Sequence, residues 1–246
     1  MNGEILPFIL IALITLGASY IQSVSGFGFG IFAMIFLPHL LLYTEANVLS
    51  SLLITLTSIG ICLFTFRKVN FKNLWFPLIG SAAITFFSVS FVKTQKNETL
   101  TLLLGIALLL LSLYFFFFSN KIKIKPTWYA GLIAGIISGI MGGLFSIGGP
   151  PVVIYFVQTE KDSERYLATI SAYFVLSSVV SISAKAAAGF ITPTVLLCFA
   201  IGDLGMAVGS FIGKRTRERI DPIALKKVVY GVMAASGAIN IATSLL

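Results

Sequence analysis

The chain has 246 residues, of which 57% are hydrophobic and 11% charged, with a formal net charge of +8. A soluble domain carries about a quarter charged residues; with a mean hydropathy of +1.00, this composition excludes one and implies a polytopic helical membrane protein. The positive charge sits in short connections between apolar runs, not on a basic recognition helix or an aromatic-basic platform, which argues against nucleic acid as a partner.

In chain order the apolar runs are 5–43, 46–66, 74–92, 98–119, 126–158, 166–188, 192–213 and 223–245. The first residues, Met1-Asn2-Gly3-Glu4, lack a positive n-region, and the apolar stretch after them is too long for a cleavable signal peptide. Six runs are close to one bilayer crossing at about 1.5 Å per residue. The first and fifth are too long for one crossing, and both contain a Gly-rich break. The first reads Gln22-Ser23-Val24-Ser25-Gly26-Phe27-Gly28-Phe29-Gly30, and the second runs from Ser138 to Pro151 through Gly142-Gly143-Leu144-Phe145-Ser146-Ile147-Gly148-Gly149-Pro150. Each is read as a helical hairpin of two half-length helices with the break as its tip, the alternative being one tilted, broken span. Cys62 and Cys198 lie inside apolar runs without CxxC spacing and are read as small core residues, not a disulfide. Trp75 and Trp128-Tyr129 open runs on the basic side, as an interfacial aromatic belt does. The run Tyr114 to Phe118 reads as lipid-facing or packing, and Asn240 as an interhelical hydrogen-bonding residue.

The seventeen Lys and Arg residues decide how the fifth run sits. If all eight runs cross once, the two faces receive ten and seven of them, which is little bias. If the fifth returns to its own side, the faces receive fourteen and three, as the positive-inside rule favours. Extending the hairpin to the first run, on length and symmetry, gives two halves, 1–120 and 121–246. Each has one hairpin (5–43 and 126–158) and three transmembrane helices. Three crossings are odd, so the halves form inverted repeats. Gly28 falls on Gly148 at an offset of 120, and Leu78-Ile79-Gly80-Ser81 falls on Ala200-Ile201-Gly202-Asp203 at 122. The junction is placed near Lys121–Pro126. Basic loops then face the cytoplasm and both termini lie outside the cell (inner) membrane. Loop charge does not separate a hairpin that dips from one that crosses twice.

Gly- or Pro-interrupted apolar segments at matching points of two halves point to a transporter binding site. Backbone that leaves the helix within a bilayer is tolerated only inside protein or along a cavity. A helix restarting after a break exposes N–H groups and the positive end of its dipole, which suits an anion. Pro150 and Pro151 fit a first helical turn. The candidate substrate-binding residues are therefore Gln22, Ser23, Ser25, Gly26, Gly28, Gly30, Ser146, Gly148, Gly149 and Pro150. The plainer alternative is that these small residues only let helices pack closely. Asp203, a carboxylate well inside an apolar run, is either a proton-coupling residue or a structural hydrogen-bond acceptor. Lys185 reads as snorkelling to the headgroups, with attraction of an anion as the alternative, and His39, beside Pro38, as interfacial or packing ahead of a proton relay.

At these motifs the chain resembles the sulfite exporter TauE/SafE family. Gln22 to Gly30 looks like that family's first signature and Gly143 to Tyr155 like its second. One departure is Ile35, where the family pattern has a Pro; here Pro38 follows later. The resemblance implies transport of small sulfur-containing anions such as sulfite, sulfonates or sulfoacetate, with substrate and direction varying among members.

The expectation is thus an all-α, inverted-repeat secondary transporter that works by alternating access. Its partners are a small anionic substrate and membrane lipid, with a homodimer as candidate assembly and no cofactor, metal or nucleic acid. An anion channel is the nearest rival. An intramembrane enzyme is disfavoured, because His39 is the only histidine and no HExxH is present.

Overall fold

Uncharged runs of Leu, Ile, Val and Phe must satisfy their own backbone inside a bilayer, and the helix does this within one segment. The computed structural model describes residues 2–117, 125, 127–160, 162–216, 219 and 222–245. Its described residues form ten α-helices: α1 (Asn2–Ser25), α2 (Phe29–Phe36), α3 (Tyr43–Thr65), α4 (Phe71–Thr94), α5 (Asn97–Phe117), α6 (Trp128–Phe145), α7 (Gly149–Thr159), α8 (Ser163–Ala187), α9 (Pro193–Thr216) and α10 (Pro222–Leu245). Seven of them, α1, α3, α4, α5, α6, α8 and α9, are long and apolar enough to cross a membrane. The protein is a multi-pass membrane protein. Apart from Lys125, the expected junction at Lys121–Pro126 lies outside the described residues.

Both long runs fold back on themselves. The ring of Phe32 in α2 lies against Gly17 of α1, and Tyr155 of α7 lies against Gly131 of α6. The arms are not two half-helices, however. α1 has 24 residues and α6 has 18, against 8 in α2 and 11 in α7. At about 1.5 Å per residue only the second arm of each hairpin is half-length. The apolar stretch before each break is simply long enough to cross.

Two connections meet at one end of the bundle. Lys68 pairs with Glu164, and the Asn70 and Asn73 amides donate to Glu160 Oε1 at 2.8 and 2.7 Å. The α3–α4 and α7–α8 connections therefore share one end. At the other end Thr192, before α9, donates to Glu45 of α3 at 2.7 Å. A single crossing by the fifth run would have put Lys68 and Glu164 on opposite faces.

Packing follows a regular exchange. α1 packs along α9 as α6 packs along α4, while α3 meets α8 and α5 meets α10. Glycines set the closest approaches: Gly135, Gly139 and Gly143 of α6 lie against Pro77, Ser81 and Ser88 of α4, and Gly205 and Gly209 of α9 lie against Ala12 and Leu16 of α1. Four-residue glycine spacing gives one helix face without side chains, the usual route to tight membrane packing. Cys62 and Cys198 are free thiols. Phe115 stacks on Tyr230 with ring centroids 4.7 Å apart, while Phe116 and Phe117 are exposed; Phe118 is outside the described residues. Asn240 departs from expectation: it is buried against Gly105, and its amide makes no interhelical hydrogen bond.

Candidate functional site

The two breaks meet. The first is a turn through Gly26 and Gly28, at φ 82° and 108°, a region open to glycine at no steric cost. The second turns at Ser146, whose φ of 55° is the one positive value on a non-glycine among the described residues. Such a conformation costs on the order of 1 kcal/mol or more and persists where the surroundings hold it. Gly30 is so close to the Ser146 carbonyl oxygen that a side chain on it would overlap that atom.

The backbone freed at the second break is satisfied by side chains of α3. Tyr43 Oη donates to the Leu144 carbonyl at 2.8 Å, and Asn47 Nδ2 donates to the same oxygen at 2.7 Å. Ser146 Oγ lies 2.7 Å from Asn47 O and 2.8 Å from Ser51 Oγ. On the other side Tyr173 Oη donates to Ser138 Oγ at 2.8 Å, and Ser138 Oγ donates to the Gly148 carbonyl at 2.5 Å. At the first break, Ser25 Oγ is within 2.6 and 2.8 Å of the Phe27 and Ile21 carbonyls, and Gln22 Nε2 donates to Ser58 at 3.2 Å.

Between the breaks lies a cavity of about 70 Å³. Since one water needs roughly 10–15 Å³ of such space, this holds a few waters or one compact anion. Of the residues singled out in the sequence, Gln22, Gly28, Gly30, Ser146, Gly148, Gly149 and Pro150 line it; Ser23, Ser25, Gly26 and Asp203 do not. Ser23 lines a separate groove beside Lys214, and Asp203 sits half-buried on α9. Hydroxyls complete the wall: Ser51 of α3, Ser81 and Thr85 of α4, Ser138 of α6, and Tyr173, Ser177, Ser178 and Ser181 of α8. The Ser181 hydroxyl has no hydrogen-bond partner. No carboxylate lines the cavity among the described residues.

Both short helices begin at this cavity without a side-chain cap. α2 starts at the cavity wall, with Gly28, Gly30 and Ile31 lining it, and the N–H groups of a first helical turn have no partner within their own helix. α7 presents the Gly149 N–H and its dipole, because Pro150 and Pro151 have no N–H to give.

Lys185 overturns the snorkelling expectation. It is 0% exposed. Its Nζ donates to Ser51 Oγ at 2.5 Å, to Ser146 Oγ at 2.9 Å and to the Gly142 carbonyl at 3.4 Å. The ammonium thus sits at the end of α6, where the dipole is negative, directly behind two hydroxyls of the cavity wall. The sequence carried a signal for this. Tyr173, Ser177, Ser181 and Lys185 recur every four residues, which puts them on one face of α8.

The family description "Sulfite exporter TauE/SafE" matches residues 11–239. Among curated proteins, the "Probable sulfite/organosulfonate exporter TauE" of Cupriavidus necator is 23% identical over 244 residues, covering 97% of this chain and 95% of its own length. No solved structure matches the chain.

Proposed function

We propose that this chain, which belongs to the sulfite exporter TauE/SafE family, carries small sulfur oxyanions across the membrane through the cavity between its two breaks. The observation that carries the reading is the composition of that wall: hydroxyls, uncapped helix starts and an adjacent buried ammonium, with no carboxylate lining it among the described residues. Sulfur oxyanions are negatively charged and rich in acceptor oxygens, so a wall of donors suits them and a carboxylate would repel them. Sulfite, sulfonates and sulfoacetate are the candidate cargo, and the name of the Cupriavidus necator relative supports the class.

In this proposal the halves are inverted repeats that rock about the cavity. The exchange of packing partners, α1 with α9 and α6 with α4, is what a two-fold relation between halves produces. The end carrying Lys68 and Arg165 faces the cytoplasm, and both termini face outside. The test is counterflow in proteoliposomes. Preloaded unlabelled sulfite is expected to drive transient accumulation of labelled sulfite, which a carrier shows. Flux that never saturates and shows no counterflow would overturn alternating access in favour of a channel.

A further inference from the structure

Lys185 is a fully buried cation in the membrane-spanning part of α8, and its three hydrogen bonds all go to neutral oxygens, those of Ser51, Ser146 and Gly142. No described carboxylate pairs with it; the described ion pairs join Lys68 to Glu164 and Arg165 to Glu160. The titratable groups on the surrounding helices are engaged elsewhere. On α3, Tyr43 donates to Leu144, and Glu45 accepts from Thr192. On α8 itself Tyr173 donates to Ser138, on α7 Tyr155 packs on Gly131, and Lys72 and Lys93 of α4 are exposed. An ion buried without a counter-charge is strongly disfavoured. The cavity wall beside Lys185 is where that charge can be met, because Ser51 and Ser146 touch both the ammonium and the cavity.

We propose that Lys185 carries the proton that travels with the cargo anion, an inference that rests on the oxyanion reading of the cavity. With an anion bound, ammonium and anion neutralise each other. When the anion leaves, an N–H bond of the ammonium breaks and its proton passes through the Ser51 or Ser146 hydroxyl to a water in the emptied cavity. The electron pair stays on Nζ. Loading reverses the step. Each form then reorients without dragging net charge through the bilayer, and by reciprocity the proton tightens anion binding as much as the anion tightens proton binding. The expected cargo is a monoanion, a sulfonate or bisulfite, with one proton carried per anion. Asp203, away from this wall, has no part in the coupling.

Methanesulfonate is a suitable probe, since its charge does not change with pH and any pH effect belongs to the protein. In proteoliposomes clamped at zero potential, a gradient of one pH unit is expected to concentrate it about tenfold on the alkaline side, as one proton per anion requires. Asp203→Asn is expected to keep this coupling. Lys185→Arg, whose guanidinium does not release its proton, is expected to accumulate the probe with membrane potential and to ignore pH. Should the arginine fail to fold, thermal stabilisation by methanesulfonate settles the matter. It is expected to weaken as pH rises in the wild type and to be absent at every pH in Lys185→Met. Wild-type flux that follows potential alone, or pH coupling that survives in Lys185→Arg, overturns the proton assignment and leaves the oxyanion reading intact. A wild type that neither binds nor moves methanesulfonate, sulfite or sulfoacetate overturns both.

Discussion

Gly30, just past the first break, packs directly on the carbonyl oxygen of Ser146 in the second. The two hairpin tips are thereby in register across the centre of the bundle. A methyl at position 30 would collide with backbone, which has no rotamer by which to yield. Gly30→Ala is expected to cost about 1–3 kcal/mol, the usual penalty for overpacking, and to remove oxyanion-dependent stabilisation. Thermal unfolding with and without sulfite checks both.

Ser146 holds a left-handed backbone at φ 55° while its hydroxyl lines the cavity. The two properties separate by substitution. Ser146→Gly is expected to be more stable than Ser146→Ala, by roughly 1 kcal/mol, because glycine adopts this conformation without strain. Both are expected to lose sulfite affinity, since both lose the hydroxyl. Melting temperatures and binding curves for the pair give the answer.

How much of this was legible beforehand differs by residue. The breaks were legible because glycine runs inside apolar sequence are rare and occur at matching points. The hairpin at 126–158 is what loop charge favours, and Lys68 and Glu164 meet at one end of the bundle. Seven of the ten proposed site residues line the cavity for the same reason: they belong to the breaks. The arm lengths, and the roles of Ser51, Asn47 and Tyr43, were not legible. Those side chains act on a break about a hundred residues away, and only the tertiary fold, which sets the start of α3 beside the end of α6, brings them there. Lys185 was misread because its distance from the end of its run suggests a route to the headgroups, whereas the C-terminal end of α6 draws the ammonium inward.

Tyr43 and Asn47 both donate to the Leu144 carbonyl, at 2.8 and 2.7 Å. Removing either leaves the oxygen with one partner, and removing both leaves it bare in an apolar setting. Tyr43→Phe and Asn47→Ala are each expected to cost about 1–2 kcal/mol, and the double variant more than their sum. A double-mutant cycle by chemical denaturation measures the excess; strict additivity would contradict a shared acceptor.

Lys185→Met exchanges an uncompensated buried charge for an apolar side chain of similar length. Such replacements are often neutral or stabilising. The variant is expected to insert and to melt within about 1 kcal/mol of the wild type, while sulfite affinity falls at least tenfold. A loss of both fold and binding would assign Lys185 to structure alone.

The central claim is that the cavity between the breaks binds a sulfur oxyanion, and ligand-dependent thermal stabilisation of purified protein tests it most directly. Sulfite, sulfoacetate, taurine and sulfate are compared on the wild type and on Gly149→Leu, whose side chain would grow into the cavity from the start of α7 beside Phe174. The account predicts selective stabilisation of the wild type by sulfite or sulfoacetate and none in the variant. Equal stabilisation of both proteins, or none of a well-folded wild type by any of the four, would contradict it.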